Sequence, residues 1–124
     1  MPKKAKSCEV KEITAIDIDR YEGITKILNA LGNKTRVAIL HAMTKHKEVC
    51  ACELQPALNI PQPTVTTHLR KMYDVGLLKH RDVWKYTYYY VNPDYEQLVN
   101  DLLKCHANTI LPSLPPYSKN KAIR

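Results

Sequence analysis

The feature that most constrains this chain is a change of hydrophobic period at Gly76. Before it, Val65, Leu69 and Met72 recur at i, i+4 and i+7, which marks one buried face of a helix. After it, residues 78–82 and 86–91 follow a period near two, the second run rich in tyrosine and β-branched residues. Val83-Trp84-Lys85 between them is short enough for a hairpin tip, although it carries neither the Gly nor the Asn of a tight primed turn.

The rest of the chain reads as helices. From Ile13, the residues Ile16, Ile24, Ile27, Leu28 and Leu31 approximate helical spacing, with Asp17 or Asp19 as N-cap and Gly32-Asn33 as the stop. A second helix is expected from Lys34 to about Lys45, carrying Val37, Ile39, Leu40 and Met43. Residues 48–58 form a short third segment, closed by Asn59 in the left-handed conformation. Ile60-Pro61-Gln62-Pro63 is a turn, with Pro63 suited to the first helical position. Asn92-Pro93-Asp94 caps a last helix with Tyr95, Leu98, Val99, Leu102 and Leu103 on its apolar face, and Pro112, Pro115 and Pro116 end regular structure. The expected fold is α+β and mainly helical, with a two-stranded hairpin. A length of 124 residues leaves room for one domain. It is expected over residues 13–111, between a flexible basic arm (1–12) and a disordered basic tail (112–124).

Two helices of unequal role joined by a short turn and followed by a β-hairpin make a winged helix-turn-helix, which sets one helix against DNA. The polar face left by Val65, Leu69 and Met72 comprises Gln62, Thr64, Thr66, Thr67, His68, Arg70 and Lys71, and residues 62–71 contain no Asp or Glu. Hydroxyl and amide groups near a helix start suit base edges, and Arg70 and Lys71 suit phosphates. The hairpin adds Lys79, His80, Arg81 and Lys85 against one Asp82, as expected of a wing lying along the backbone. The net charge of +7 and pI near 9.3 agree with a polyanionic partner. Double-stranded DNA is therefore expected as the partner. No catalytic constellation is visible, and no enzyme activity is expected.

No apolar run approaches the roughly 20 residues of a spanning helix. The lysines near the start are not followed by the ~7–15 apolar residues of a signal peptide. A cytoplasmic protein without membrane contact is expected. Its cysteines, Cys8, Cys50, Cys52 and Cys105, should then be reduced, which suits metal binding or redox sensing better than stapling. In a regular helix Cys50 and Cys52 would point about 200° apart. Their sulfurs share an ion only if Cys50 is still extended while Cys52 enters the first helical turn. A helix N-terminus also favours thiolates, the metal-binding form. The pair is an incomplete site: a tetrahedral thiolate centre lacks two ligands, and a three-coordinate As(III) or Sb(III) centre lacks one.

These motifs together resemble the ArsR/SmtB family of metal-responsive repressors. Leu31-Gly32-Asn33-Lys34-Thr35-Arg36-Val37-Ala38-Ile39-Leu40 looks like that family's L-x-x-x-T-R-x-x-I-L signature. Val49-Cys50-Ala51-Cys52-Glu53-Leu54 resembles its metal box, and Gln62-Pro63-Thr64-Val65-Thr66-Thr67-His68-Leu69 its recognition helix. Gly76-Leu77-Leu78 and Tyr88-Tyr89-Tyr90 match the approach to the wing and its second strand. Pro63 stands where the family has a small residue, Tyr73 where leucine is common, and the wing tip lacks the family's glycine. The resemblance covers about residues 17 to 110. It implies a homodimer built by the first and last helices, bound to operator DNA and released by a thiophilic ion: As(III)/Sb(III) or Cd(II)/Pb(II)/Zn(II). It implies Cys8 as a further ligand, since cadmium- and lead-sensing members supply N-terminal cysteines to this box. Cys105, beside His106, is the other available thiol. Two alternatives remain at this stage: a regulator of the same fold switched by a disulfide, and a thiol-based metal carrier.

Overall fold

Asn33 decides where the first two helices part. The computed structural model describes residues 10–109, with side chains through Cys105. Most of the expected arm, all of the tail, and Cys8 lie outside the described residues. The Asn33 carboxamide oxygen accepts from the Thr35 and Arg36 N–H groups at 2.9 and 3.1 Å. It thereby caps α2 (Lys34–His46), while Gly32 follows the end of α1 (Glu22–Leu31). Of the two expected N-caps, Asp17 is the one used, and Ile13 and Ile16 precede it outside any helix. Asp17 caps a short 3-10 turn, Ile18–Tyr21, and α1 begins after it. Ile13, Ile16 and Ile18 are at least 62% exposed and bury nothing within the chain, so tertiary packing does not extend the helix to them.

α3 (Ala51–Leu58) ends on Asn59, whose φ of 57° is left-handed as expected. α4 (Gln62–Asp74) begins one residue earlier than expected, which moves Pro63 to the second helical position. Its end is a Schellman motif: the Leu77 N–H reaches the Met72 carbonyl, the Gly76 N–H reaches that of Tyr73, and Gly76 has a φ of 87°. That reversal feeds β1 (Leu78–Val83), which pairs antiparallel with β2 (Tyr86–Val91) from Leu78↔Val91 to Val83↔Tyr86. The tip is only Trp84-Lys85, and Trp84 takes the positive φ of 59° that glycine or asparagine usually supplies. Asn92 then serves twice. Its amide donates to the Gly76 carbonyl at 2.8 Å, and its oxygen caps α5 (Pro93–Thr109) through the Asp94 N–H at 3.0 Å.

One element has no counterpart in the sequence reading. Val49 forms an antiparallel bridge to Tyr89, with N–H to carbonyl distances of 3.0 and 2.8 Å in the two directions. Val49 therefore lies beside β2, directly after a tight turn in which the Glu48 N–H reaches the His46 carbonyl at 2.7 Å. A single bridging residue has no period to read.

The core gathers Leu54 from α3, Val65, Leu69 and Met72 from α4, Ile39, Leu40 and Met43 from α2, and Leu77 and Leu78 from the hairpin. Val65, Leu69 and Met72 are completely buried. Leu69→Ala should therefore cost about 2–5 kcal/mol through lost transfer energy and the cavity left behind. Urea unfolding followed by circular dichroism measures that loss.

Candidate DNA interface and thiol pair

With Val65, Leu69 and Met72 turned inward, 3.6-residue periodicity turns Thr64, Thr67, Arg70 and Lys71 outward. These four and Gln62 are exposed, while Thr66 and His68 on the flanks are half-buried. The backbone at the helix start has few free donors. Thr64 and Val65 N–H groups reach the Pro61 carbonyl, and Pro63 has none to place. The Thr67 hydroxyl donates to the Pro63 carbonyl at 3.0 Å, leaving its lone pairs outward. The result is a short polar and basic face on a helix whose opposite side is locked in the core.

The pleat divides the hairpin. Leu78, His80, Asp82, Thr87, Tyr89 and Val91 share the face that packs on α4: Tyr73 lies 4.6 Å from the His80 ring centroid and 6.5 Å from that of Tyr89. Lys79 and Arg81 are on the opposite face, with Tyr88 and Tyr90 across from them. At the tip, Lys85 places its ammonium 5.2 Å from the Trp84 ring and 5.6 Å from that of Tyr86. Trp84 is 88% exposed, so its ring is not a packing residue within the chain. Arg81 is held by Glu48. Its Nε donates to the two carboxylate oxygens at 2.9 and 3.1 Å, and its Nη2 to Oε1 at 2.7 Å. That pairing holds the guanidinium protonated more firmly than usual, by the hydrogen bonds first and the charge second. Sequence reasoning did not find this partner, because the two residues are 33 positions apart.

The cysteine pair takes the arrangement that lets its sulfurs meet. Cys50 is extended, with φ −106° and ψ 162°, while Cys52 is in the first turn of α3. The two are joined by a disulfide, with their Cα atoms 5.4 Å apart. Cys50 is 3% exposed, whereas Cys52 faces solvent. The Glu53 carboxylate accepts the Cys50 N–H at 3.0 Å and fixes the start of the helix. Among the described residues, no group of three or more His, Cys, Asp and Glu side chains is placed to hold a metal ion. Cys105 is exposed on α5 and is not brought to the pair to complete such a group within one chain. Cys8 lies outside the described residues.

His68 titrates below the usual histidine value of 6.5: burial is the largest cause, followed by the positive charges of Arg36 on α2 and Lys71 on α4. A histidine with a lowered folded value stabilises the fold above its unfolded value, and that contribution is lost as pH falls through the folded one. The melting temperature should therefore decline as pH falls below about 6.5. The decline should be shallower in His68→Gln, as thermal unfolding of both proteins across that range will reveal.

The family model for "Bacterial regulatory protein, arsR family" matches residues 33–80, the span from the α2 cap to the first wing strand. A helix-turn-helix transcriptional regulator of Methanocaldococcus jannaschii is 31% identical over 77 residues, 62% of this chain and 86% of that protein. The arsenic resistance transcriptional regulator ArsR1 of Pseudomonas putida is 31% identical over 78 residues, 63% of this chain and 61% of that protein. Among solved structures, a homodimeric winged helix-turn-helix DNA-binding domain from Mycobacterium bovis superposes with a TM-score of 0.67 at 16% identity, covering 88% of this chain and 100% of that one. The chain belongs to the arsR family of bacterial regulatory proteins, winged helix-turn-helix transcriptional regulators and not enzymes.

Proposed function

We propose that this protein is a repressor that binds operator DNA as a homodimer and is released when a thiophilic ion is held by Cys50 and Cys52. The observation that carries the switch is the backbone change at Cys50: extended at the cysteine, helix after it, and two sulfurs within reach of each other. Reduced to two thiolates, as a thiol reductant would leave it, the donor set fits a soft ion, since thiolates select As(III)/Sb(III) or Cd(II)/Pb(II)/Zn(II) over hard cations. Two sulfurs do not complete such a site, so the third donor is Cys8 or Cys105. Once bound, the ion would supply a cross-link between the start of α3 and the strand before it. The P. putida relative, an arsenic resistance regulator, supports an ion of this class.

The DNA surface comprises Gln62, Thr64, Thr66, Thr67, His68, Arg70 and Lys71 on α4, with Lys79 and Lys85 on the wing and the Trp84 ring at its tip. The chain's own residues connect this surface to the cysteines. α3 packs against α4, with Leu54 in the same core as Val65 and Leu69. A shift of α3 therefore moves α4, and two α4 helices must match half-sites about 34–36 Å apart.

The second copy is needed for that spacing, and the apolar surface supports one. Leu28 on α1 and Leu102 on α5 are about half exposed and flank an apolar groove of about 310 Å³ that also includes Leu31, Val37 and Leu103. The M. bovis neighbour is described as homodimeric. Leu28→Glu with Leu102→Glu should convert a dimer into a monomer by analytical ultracentrifugation, and should weaken DNA binding with it.

The disulfide favours a second reading, in which the same pair is switched by oxidation. Two thiols and a small-molecule disulfide exchange to give the Cys50–Cys52 bond and two small-molecule thiols, which take up both protons and the electron pair. Gel-shift titration of a duplex from upstream of the protein's own gene distinguishes the readings. The ion reading expects As(III), Cd(II), Pb(II) or Zn(II) to lower affinity by about 5–150-fold under reducing conditions, and Cys50→Ser/Cys52→Ser to abolish the response. Release by oxidised glutathione alone supports the redox reading. Response to neither agent sinks both.

A further inference from the structure

Three consecutive residues carry the cysteine pair to the wing. Cys50 begins the thiol site. Val49 before it exchanges two backbone hydrogen bonds with Tyr89 on β2. Glu48 before that grips Arg81 on β1 through three nitrogen–oxygen contacts between 2.7 and 3.1 Å. Val49 pairs with β2, and β2 pairs with β1, so this segment and β1 do not touch through their backbones. Arg81 spans that gap. Its guanidinium lies 5.9 Å from the ring of Tyr88, its partner across β2, and ends on Glu48. The wing is thus fastened to the cysteine segment at both strands: at β2 by backbone, at β1 by this side-chain pair.

The pair's surroundings do not suit a DNA contact. The charge of Arg81 is already neutralised by a carboxylate. An exposed ion pair adds little to stability. Its bidentate geometry instead fixes position, because a planar guanidinium held on both carboxylate oxygens sets orientation as well as distance. Glu48, for its part, has no segment of free chain between it and the cysteine: only Val49 intervenes, and Val49 is 4% exposed. Any rotation of the backbone at Cys50 therefore moves the anchor of Arg81.

We infer that Glu48–Arg81 is the strut that conveys the state of the Cys50–Cys52 pair to the wing, and that Arg81 is a positioning residue and not a phosphate contact. This rests on the reading that the state of the pair controls DNA affinity. The strut holds β1 to the cysteine segment, so a change in that segment's path when the disulfide opens would reach β1. Without the strut, β1 is tied to that segment only through β2, and the tip carrying Trp84 and Lys85 follows it less.

The test compares DNA affinity in the two states of the pair, in full-length protein carrying Cys8→Ser and Cys105→Ser so that only this pair changes. Diamide closes the pair and dithiothreitol opens it. The probe is a fluorescent duplex from upstream of the protein's own gene, read by anisotropy. The parent protein should bind about tenfold more tightly as dithiol than as disulfide, within the usual range of allosteric coupling. Glu48→Gln and Arg81→Gln should each bring that ratio to within about threefold of unity. The exchanged pair, Glu48→Arg with Arg81→Glu, should restore it. Salt dependence supplies a readout that a loss of packing would not mimic: Arg81→Gln should leave the dithiol protein's salt slope unchanged, whereas a phosphate contact would lower it by about one.

A full ratio in both single variants overturns the strut while leaving the switch intact. A slope reduced by about one overturns the positioning role and makes Arg81 a phosphate contact. A ratio of unity in the parent overturns switching by the disulfide, and the strut's part in it; the ion reading stands or falls on the gel-shift titration. If a single variant loses its helical circular dichroism, the exchanged pair is compared with the parent, and its failure to restore the ratio counts against the strut.

Discussion

The placement of the proposed DNA face depends on the complete burial of one face of α4. Val65, Leu69 and Met72 have no solvent exposure, and their neighbours come from α2, α3 and the hairpin. Because the helix spends this face entirely on the core, its rotation about its own axis is fixed. Thr64, Thr67, Arg70 and Lys71 must then face outward, whatever their own preferences. The Schellman turn at Gly76 fixes where the helix stops, so the hairpin leaves at a set angle and its inner face comes to rest on Tyr73. Recognition helix and wing are positioned by one set of apolar contacts and one left-handed glycine.

The cysteine pair lies where two kinds of structure meet. On one side is a segment hydrogen-bonded to the wing; on the other is α3, packed on α4. A constraint placed between Cys50 and Cys52 acts at that junction, and both DNA-facing elements are attached to it. The asymmetry of the pair serves the same end. Exposed Cys52 is the sulfur that meets solvent, and buried Cys50 is the one whose displacement the core cannot ignore. In the proposed switch, helix coupling alone would route a signal only into α4, and the Val49 bridge and the Glu48–Arg81 pair would add a second route into the wing.

Local and periodic features were legible in the sequence; single long-range contacts were not. The α4 stripe could be read because three residues repeat on one face, and the caps at Asn59, Gly76 and Asn92 because each residue type has a backbone reason to be there; Asn33 was read only as the stop of the first helix, whereas it caps the second. Cys50 and Cys52 were half legible: helical geometry set the condition under which their sulfurs meet, and only the structure shows that Cys50 meets it. Asp17 was legible as a cap, but not that the turn it caps is 3-10 and that α1 begins only at Glu22. The Val49 bridge is one residue long, and the Glu48–Arg81 pair joins positions with no local relation. Trp84 at positive φ runs against residue preference, so no propensity argument reaches it.

In the proposed switch, the state of the cysteine pair and the DNA face form one mechanical system. Amide hydrogen exchange at Val49 and Tyr89, whose N–H groups form the bridge, measures this most directly when paired with DNA affinity in the same samples. Passing from dithiol to the ion-loaded or disulfide form should change the protection of both amides together, in step with the loss of DNA affinity. A loss of affinity with the protection of both amides unchanged would contradict it.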